Sequence, residues 1–171
     1  MNWIYKTDAS NSARYILGIE GKNPLICVGV NPSTAVPNHL DRTLKSVETF
    51  SKMNGYDSWI MLNLYPQRAT NPKNLHLSSN DKIMKENIKT IEDVFSKYKH
   101  ADIWAAWGNL IKSRSFLKEC LKAIIDISDS KEHHWIYFGN LTKRNHPRHP
   151  LYLSRQSCRH MIDIDSYYSN L

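Results

Sequence analysis

Four short apolar runs, at residues 25–30, 59–64, 103–107 and 135–138, constrain this chain more than any other feature. They are rich in β-branched and aromatic residues and do not alternate with polar ones, the pattern of strands covered on both faces. Helical spacing fills the intervals between them. Asp41 can cap a helix reaching about residue 54, with Leu44 and Val47 inward and Gly55 as the stop. Residues 80–98 place Met84, Ile88, Ile91, Phe95 and Tyr98 on one stripe, and residues 109–127 do the same with Leu110, Leu117, Leu121 and Ile124. Strand and helix in alternation predict a mainly parallel sheet with helices on both faces. The expected fold is an α/β, three-layer α/β/α sandwich around a central, mainly four-stranded parallel sheet. Residues 15–19 add a candidate edge strand.

At 171 residues, with 41% hydrophobic content, residues 1–171 are expected to form one domain with a substantial core. No apolar run approaches the roughly 18–20 residues of a membrane span. Residues 1–6 lack the charged start and long apolar centre of a signal peptide, so a cytoplasmic location is expected, and no membrane partner. Cys27, Cys120 and Cys158 are too scattered for a disulfide framework or a zinc or iron–sulfur site. The formal net charge is +7, and residues 141–160 hold Lys143, Arg144, Arg148, Arg155 and Arg159 with no acid. This concentration is a candidate phosphate-contacting surface.

In open α/β sheets, ligands bind beyond the carboxyl ends of the strands. Asn31 follows the first run, Asn63 ends the second, Gly108-Asn109 follows the third and His149 lies beyond the fourth. The polar candidates therefore share one edge. His133 and His134, adjacent in a strand, point to opposite faces and do not make a metal site. Trp104 and Trp107 read as core, and Asp41 as a helix cap.

The ordered motifs carry a resemblance. Gly29-Val30-Asn31-Pro32-Ser33 resembles the first motif of the uracil-DNA glycosylase superfamily, in the Gly-Ile-Asn-Pro-Gly form of its mismatch-specific branch. His149-Pro150-Leu151-Tyr152-Leu153-Ser154 resembles the second motif, read there as His-Pro-Ser-Pro-Leu-Ser or Asn-Pro-Ser-Gly-Leu-Ser. Asn63-Leu64-Tyr65 with Arg68-Ala69-Thr70, and Ile103 through Asn109, match the intervening segments in order, so the likeness spans residues 25–155. The wording is closer still to a family of short bacterial and phage proteins without an assigned function.

The resemblance implies hydrolysis of the bond joining a flipped-out base to its deoxyribose in DNA. His149 would stabilise the leaving base, and Asn31, whose amide cannot take a proton at neutral pH, would orient water. Asn63 would read the base edge. Ser33 stands where uracil-specific enzymes carry a tyrosine that blocks carbon 5, so thymine or bulkier 5-substituted pyrimidines would fit. Lys143, Arg144 and Arg148 would contact backbone phosphates, and Tyr152 or Leu153 would wedge into the vacated stack. Gln67 and Arg68, in a loop near the site, are candidates to contact sugar or phosphate, with a solvated turn as the equal alternative. No metal or other cofactor is implied, and a monomer acting on double- or single-stranded DNA is expected. Two other readings use the same pocket: a non-catalytic module binding modified bases, and a hydrolase of free nucleosides or nucleotides.

Overall fold

The computed structural model describes residues 2–171. The strands are β1 (Trp3–Thr7), β2 (Arg14–Ile19), β3 (Pro24–Gly29), β4 (Ser58–Asn63), β5 (Asp102–Ala105), β6 (His134–Phe138) and β7 (Arg159–Met161). The helices are α1 (Arg42–Met53), α2 (Asp81–Lys97), α3 (Phe116–Asp129) and α4 (Ile164–Ser169). All seven strands form one mixed sheet, in the order β1-β2-β4-β3-β5-β6-β7. The four apolar runs supply its parallel centre, β4-β3-β5-β6.

Alternation along each strand divides the core in two. Ile26, Val28, Ile60, Leu62 and Ile103 face one side, where they pack with Ile91 and Phe95 of α2 and with Leu117, Leu121 and Ile124 of α3. Leu25, Cys27, Trp59, Met61 and Trp104 face the other, beneath Leu44, Val47 and Phe50 of α1. Coverage on both faces is why the central strands are continuously apolar. Burial also raises the Cys27 thiol well above its ordinary pKa, as suits a core residue.

Three expectations need correction. The sheet is seven-stranded and mixed rather than mainly four-stranded and parallel, because β1, β2 and β7 extend it antiparallel. The segment at 15–19 is not an edge strand: β2 lies between β1 and β4, since β1 pairs outside it. The helix expected from 109 begins at Phe116 instead. Gly108, with φ +59°, opens a 3-10 turn over Gly108–Lys112, and Leu110 is exposed there. Arg114, between turn and helix, donates to the carbonyls of Lys73, Leu75 and His76 and so braces the long segment after β4.

The other ends follow local chemistry. Asp41 caps α1 by accepting from the Leu44 N–H at 2.9 Å, and Asn80 caps α2. Gly55, at φ +80°, releases the chain after α1. On β2, a Cβ at Gly18 would lie 2.6 Å from the Trp59 carbonyl oxygen and 2.9 Å from Ile60 Cα. Backbone cannot yield as a flexible side chain does. Gly18→Ala is expected to destabilise the fold by about 1–3 kcal/mol, read as a lower urea midpoint at unchanged slope.

Candidate active site

The loops leaving the carboxyl ends of β3, β4, β5 and β6 meet around one cleft of about 1030 Å³. Asn31, Ser33, Lys143, Arg148, His149 and Tyr152 all line it. Residues far apart in the chain are thus brought to one place, and the hydrogen bonds explain how. The β3–β4 ladder runs on past both strands, with Leu64 N–H donating to Gly29 O at 2.8 Å and Tyr65 N–H to Val30 O at 2.9 Å. Ala69 N–H then donates to Pro32 O at 2.9 Å.

Asn31 is fixed by this arrangement. Its Nδ2 donates to Ala69 O at 2.8 Å and Pro32 O at 3.0 Å, with a longer contact to Gln67 O at 3.4 Å. The amide orientation follows, since only the NH2 end can donate to carbonyls. Among the described residues Oδ1 has no donor, so the group left for a ligand or a water is an acceptor. Ser33 pairs its hydroxyl with that of Thr70 at 3.1 Å.

His149 arrives from the opposite wall. Gly108 N–H donates to Pro147 O at 2.9 Å, and a Cβ at Gly108 would lie 3.4 Å from His149 Cβ. The positive φ of Gly108 and its missing side chain let the two loops close together. His149 Nδ1 accepts the Leu151 N–H at 3.3 Å, which leaves the ring proton on Nε2. Burial lowers its pKa, and the charge of Asp41 opposes the shift. The result at neutral pH is an uncharged imidazole with an N–H donor. Asp41 is the one carboxylate among the residues lining the cleft.

A second network holds this wall. Trp107 Nε1 donates to the Tyr167 hydroxyl at 2.9 Å, and that hydroxyl is also hydrogen-bonded to His146 Nδ1 at 2.9 Å. Burial lowers the His146 pKa, and Lys112 and Arg144 add to the effect. His146 is therefore a buried brace and not part of a basic surface. Thr142 accepts from the backbone of Arg144 and His146 and donates to Asn109 at 2.7 Å.

Other anticipated residues lie elsewhere. Asn63 is buried behind the cleft, with both amide atoms unpartnered. Arg68 is a strut: it donates to Ser33 O, to Asn11 Oδ1 at 3.2 Å and to the Tyr5 hydroxyl at 2.8 Å. Gln67 likewise serves the neighbouring loop, donating to Asn74 O and accepting from His76 N–H. Arg144 is exposed but does not line the cleft, and Arg159 pairs with Asp102 at 3.0 Å. Leu153 packs inward against Gly139 and the α1-side core, whereas Leu151 and Tyr152 are exposed at the cleft mouth.

Arg14 is the residue the sequence reading missed. It lines the cleft from the start of β2 and is only 2% exposed. The signal was available: a cation inside the run Ala13-Arg14-Tyr15-Ile16-Leu17 rarely goes inside without a partner.

The fold and cleft define an α/β protein whose large cleft is built from four strand-end loops. Residues 14–151 match the family described as "Protein of unknown function (DUF1643)", and the chain belongs to it. Neither a curated protein nor a solved structure matches the chain. No described helix is long and apolar enough to cross a membrane.

Three histidines, His133, His146 and His149, are held by burial below their ordinary pKa of 6.5. The unfolded chain then binds more protons than the folded one just below that value, so stability present above it is lost as pH falls. The melting temperature is expected to drop between about pH 7 and about pH 5.5. In an NMR titration, the His149 ring should take its proton below pH 6.5. A flat stability profile and an ordinary His149 midpoint would contradict this.

Proposed function

We propose that the protein is a monofunctional DNA glycosylase of the uracil-DNA glycosylase type, acting on a flipped-out modified or mismatched pyrimidine. The observation that carries the reading is the pairing in one cleft of a neutral His149, protonated on Nε2, with an Asn31 oriented to present Oδ1. Breaking the bond between sugar C1′ and the base nitrogen sends its electron pair out with the base. Negative charge grows on the base and positive charge on the sugar, as in other oxocarbenium-like reactions. The His149 N–H donates to the developing anion. Asn31 Oδ1 accepts from the water that adds at C1′, and the water's proton passes to solvent or to the departing base. Asp41 adds a fixed negative charge to the cleft that forms around the cationic sugar. Water is the nucleophile, so the chemistry requires no metal, redox cofactor or Schiff-base lysine.

Asn63 supports the reading from behind the wall. A Cβ at Gly29 would lie 3.1 Å from its Oδ1 and 2.7 Å from Met61 Cε, and Gly29 and Met61 line the cleft. A base edge that displaced the flexible Met61 side chain into that space would meet an orphaned amide. Satisfying a buried unpaired group favours binding and discriminates between base edges.

The cleft volume sits at the upper end of the roughly 300–1000 Å³ typical of small-molecule sites. With the small Ser33 on its wall, it has room for a substituent at carbon 5. A hypermodified phage base such as glucosylated 5-hydroxymethylcytosine fits this description, and abasic sites in phage DNA would serve antiviral defence. Tyr152, 75% exposed, and Leu151, 47% exposed, would wedge into the stack. Such a wedge offsets the few kcal/mol needed to extrude a base. Lys143 and Arg148 stand beside them to contact phosphates.

Incubation with oligonucleotides carrying different 5-substituted pyrimidines is expected to yield abasic sites with at least one of them. His149→Ala and Asn31→Ala should each slow release by about 100-fold or more. Retention of a DNA without abasic sites would favour the binding module, and release from mononucleotides alone the nucleotide hydrolase. Neutralising Lys143 and Arg148 should reduce the log–log salt slope of DNA binding by about one per cation removed. An unchanged slope would remove them from the interface.

A further inference from the structure

The Arg14 guanidinium is buried, lines the cleft and makes no ion pair among the described residues. Its sole side-chain hydrogen bond is Nη1 to Ala35 O at 3.1 Å. Nε is buried without a partner, and Nη2 donates to nothing among the described residues. Two adjacent donors on one edge of a planar cation are the arrangement that grips two oxygens of one anion. Burial, together with nearby Arg68, pushes the Arg14 pKa down to about 10, and the charges of Asp41 and Tyr5 act against that shift. Asp41, the carboxylate of the cleft, is turned toward the Leu44 N–H that it caps.

A buried cation with no carboxylate in ion-pair contact is costly, and a ligand that brings an anion into contact relieves that cost. Neutral hydroxyls would satisfy the donors but not the charge. Exposed Lys143 at the mouth can meet any passing phosphate, but Arg14 can be reached only by an anion that enters the cleft. Residues Arg42, Thr43 and Leu44, at the amino end of the twelve-residue helix α1, line the same cleft and add a partial positive charge.

We propose that Arg14 is the receptor for a phosphate group carried by the nucleotide that occupies the cleft, gripping it through Nε and Nη2. The proposal rests on the cleft taking a nucleotide, as argued above, but not on any bond being broken there. The phosphate comes either from the DNA backbone at the extruded nucleotide or from a free nucleoside 5′-monophosphate.

The test measures binding apart from chemistry. Wild-type protein is titrated with pyrimidine deoxynucleosides, with their 5′-monophosphates, and with oligonucleotides carrying one uncharged methylphosphonate beside the target base. The Arg14 Nε–H resonance is followed by NMR. A monophosphate preferred over its nucleoside by more than tenfold, with movement of that resonance, is expected if free nucleotides are the source. A loss of more than tenfold on methylphosphonate substitution is expected if the source is DNA. In either case Arg14→Gln should abolish the phosphate preference. Should Arg14→Gln fail to fold, the wild-type resonance decides alone. An Nε–H signal unmoved by either phosphate form, or a phosphate preference that survives in Arg14→Gln, overturns the proposal. Abasic-site formation with no phosphate dependence would overturn it and leave the glycosylase reading standing. Phosphate capture without abasic sites would do the reverse.

Discussion

The parallel pairing of β3 with β4 is the interaction on which the cleft depends. Its register runs from Pro24 opposite Ser58 to Gly29 opposite Asn63 and then continues through the chains that leave both strands. That continuation delivers the carbonyls of Gln67 and Ala69 to the Asn31 amide and fixes which end of that amide is left for a ligand. A slip of one residue would exchange the faces of every side chain on the strand. Asn63 would then turn to the α2 side, away from Gly29, and the orphaned amide would no longer lie behind the cleft wall.

The charges of the molecule divide by depth. On the mouth, Lys143 stays in water, where single charges contribute modestly and are screened by salt. Deeper in the cleft, Arg14 is removed from water and His149 partly so, and burial shifts both toward their neutral forms. For His149 the shift produces a neutral hydrogen-bond donor. For Arg14, whose charge survives at neutral pH, it leaves a cation on which Asp41 acts without forming an ion pair. The two arginines near the Asn31 loop differ in the same sense. Arg68 is saturated by carbonyls and hydroxyls and acts as scaffold, whereas Arg14 keeps donors in reserve.

The strands and helices with an apolar face were legible because burial imposes a period on the sequence. The parallel centre of the sheet lies on the four apolar runs, α1 begins one residue after its expected cap Asp41, and α2 falls within the expected stripe at 80–98. The edges were not legible for the converse reason. β7, Arg159–Met161, is exposed throughout, and β1, Trp3–Thr7, is only partly covered, so neither carries a clear apolar period. The basic stretch at 141–160 misled in another way. Composition counts charges but not their partners, and in three dimensions Arg159 is paired, His146 is buried and Lys143 faces the cleft. Leu153, one of the two candidate wedges, packs toward the core instead, while Leu151 in the short turn at Pro150–Tyr152 is exposed.

The sequence by itself determined the layered α/β plan, the cap of α1 and the gathering of Asn31, Ser33 and His149 on one sheet edge. All of these follow from periodicities and turn chemistry that act over a few residues. Only the tertiary structure decided which polar groups keep free valence. Hydrogen-bond satisfaction is a property of space rather than of order along the chain: Asn31 is saturated at one end of its amide, Arg68 nearly everywhere, Asn63 nowhere and Arg14 at one nitrogen. That distribution of unmet donors and acceptors, invisible in residue types, is what gives the cleft its chemistry.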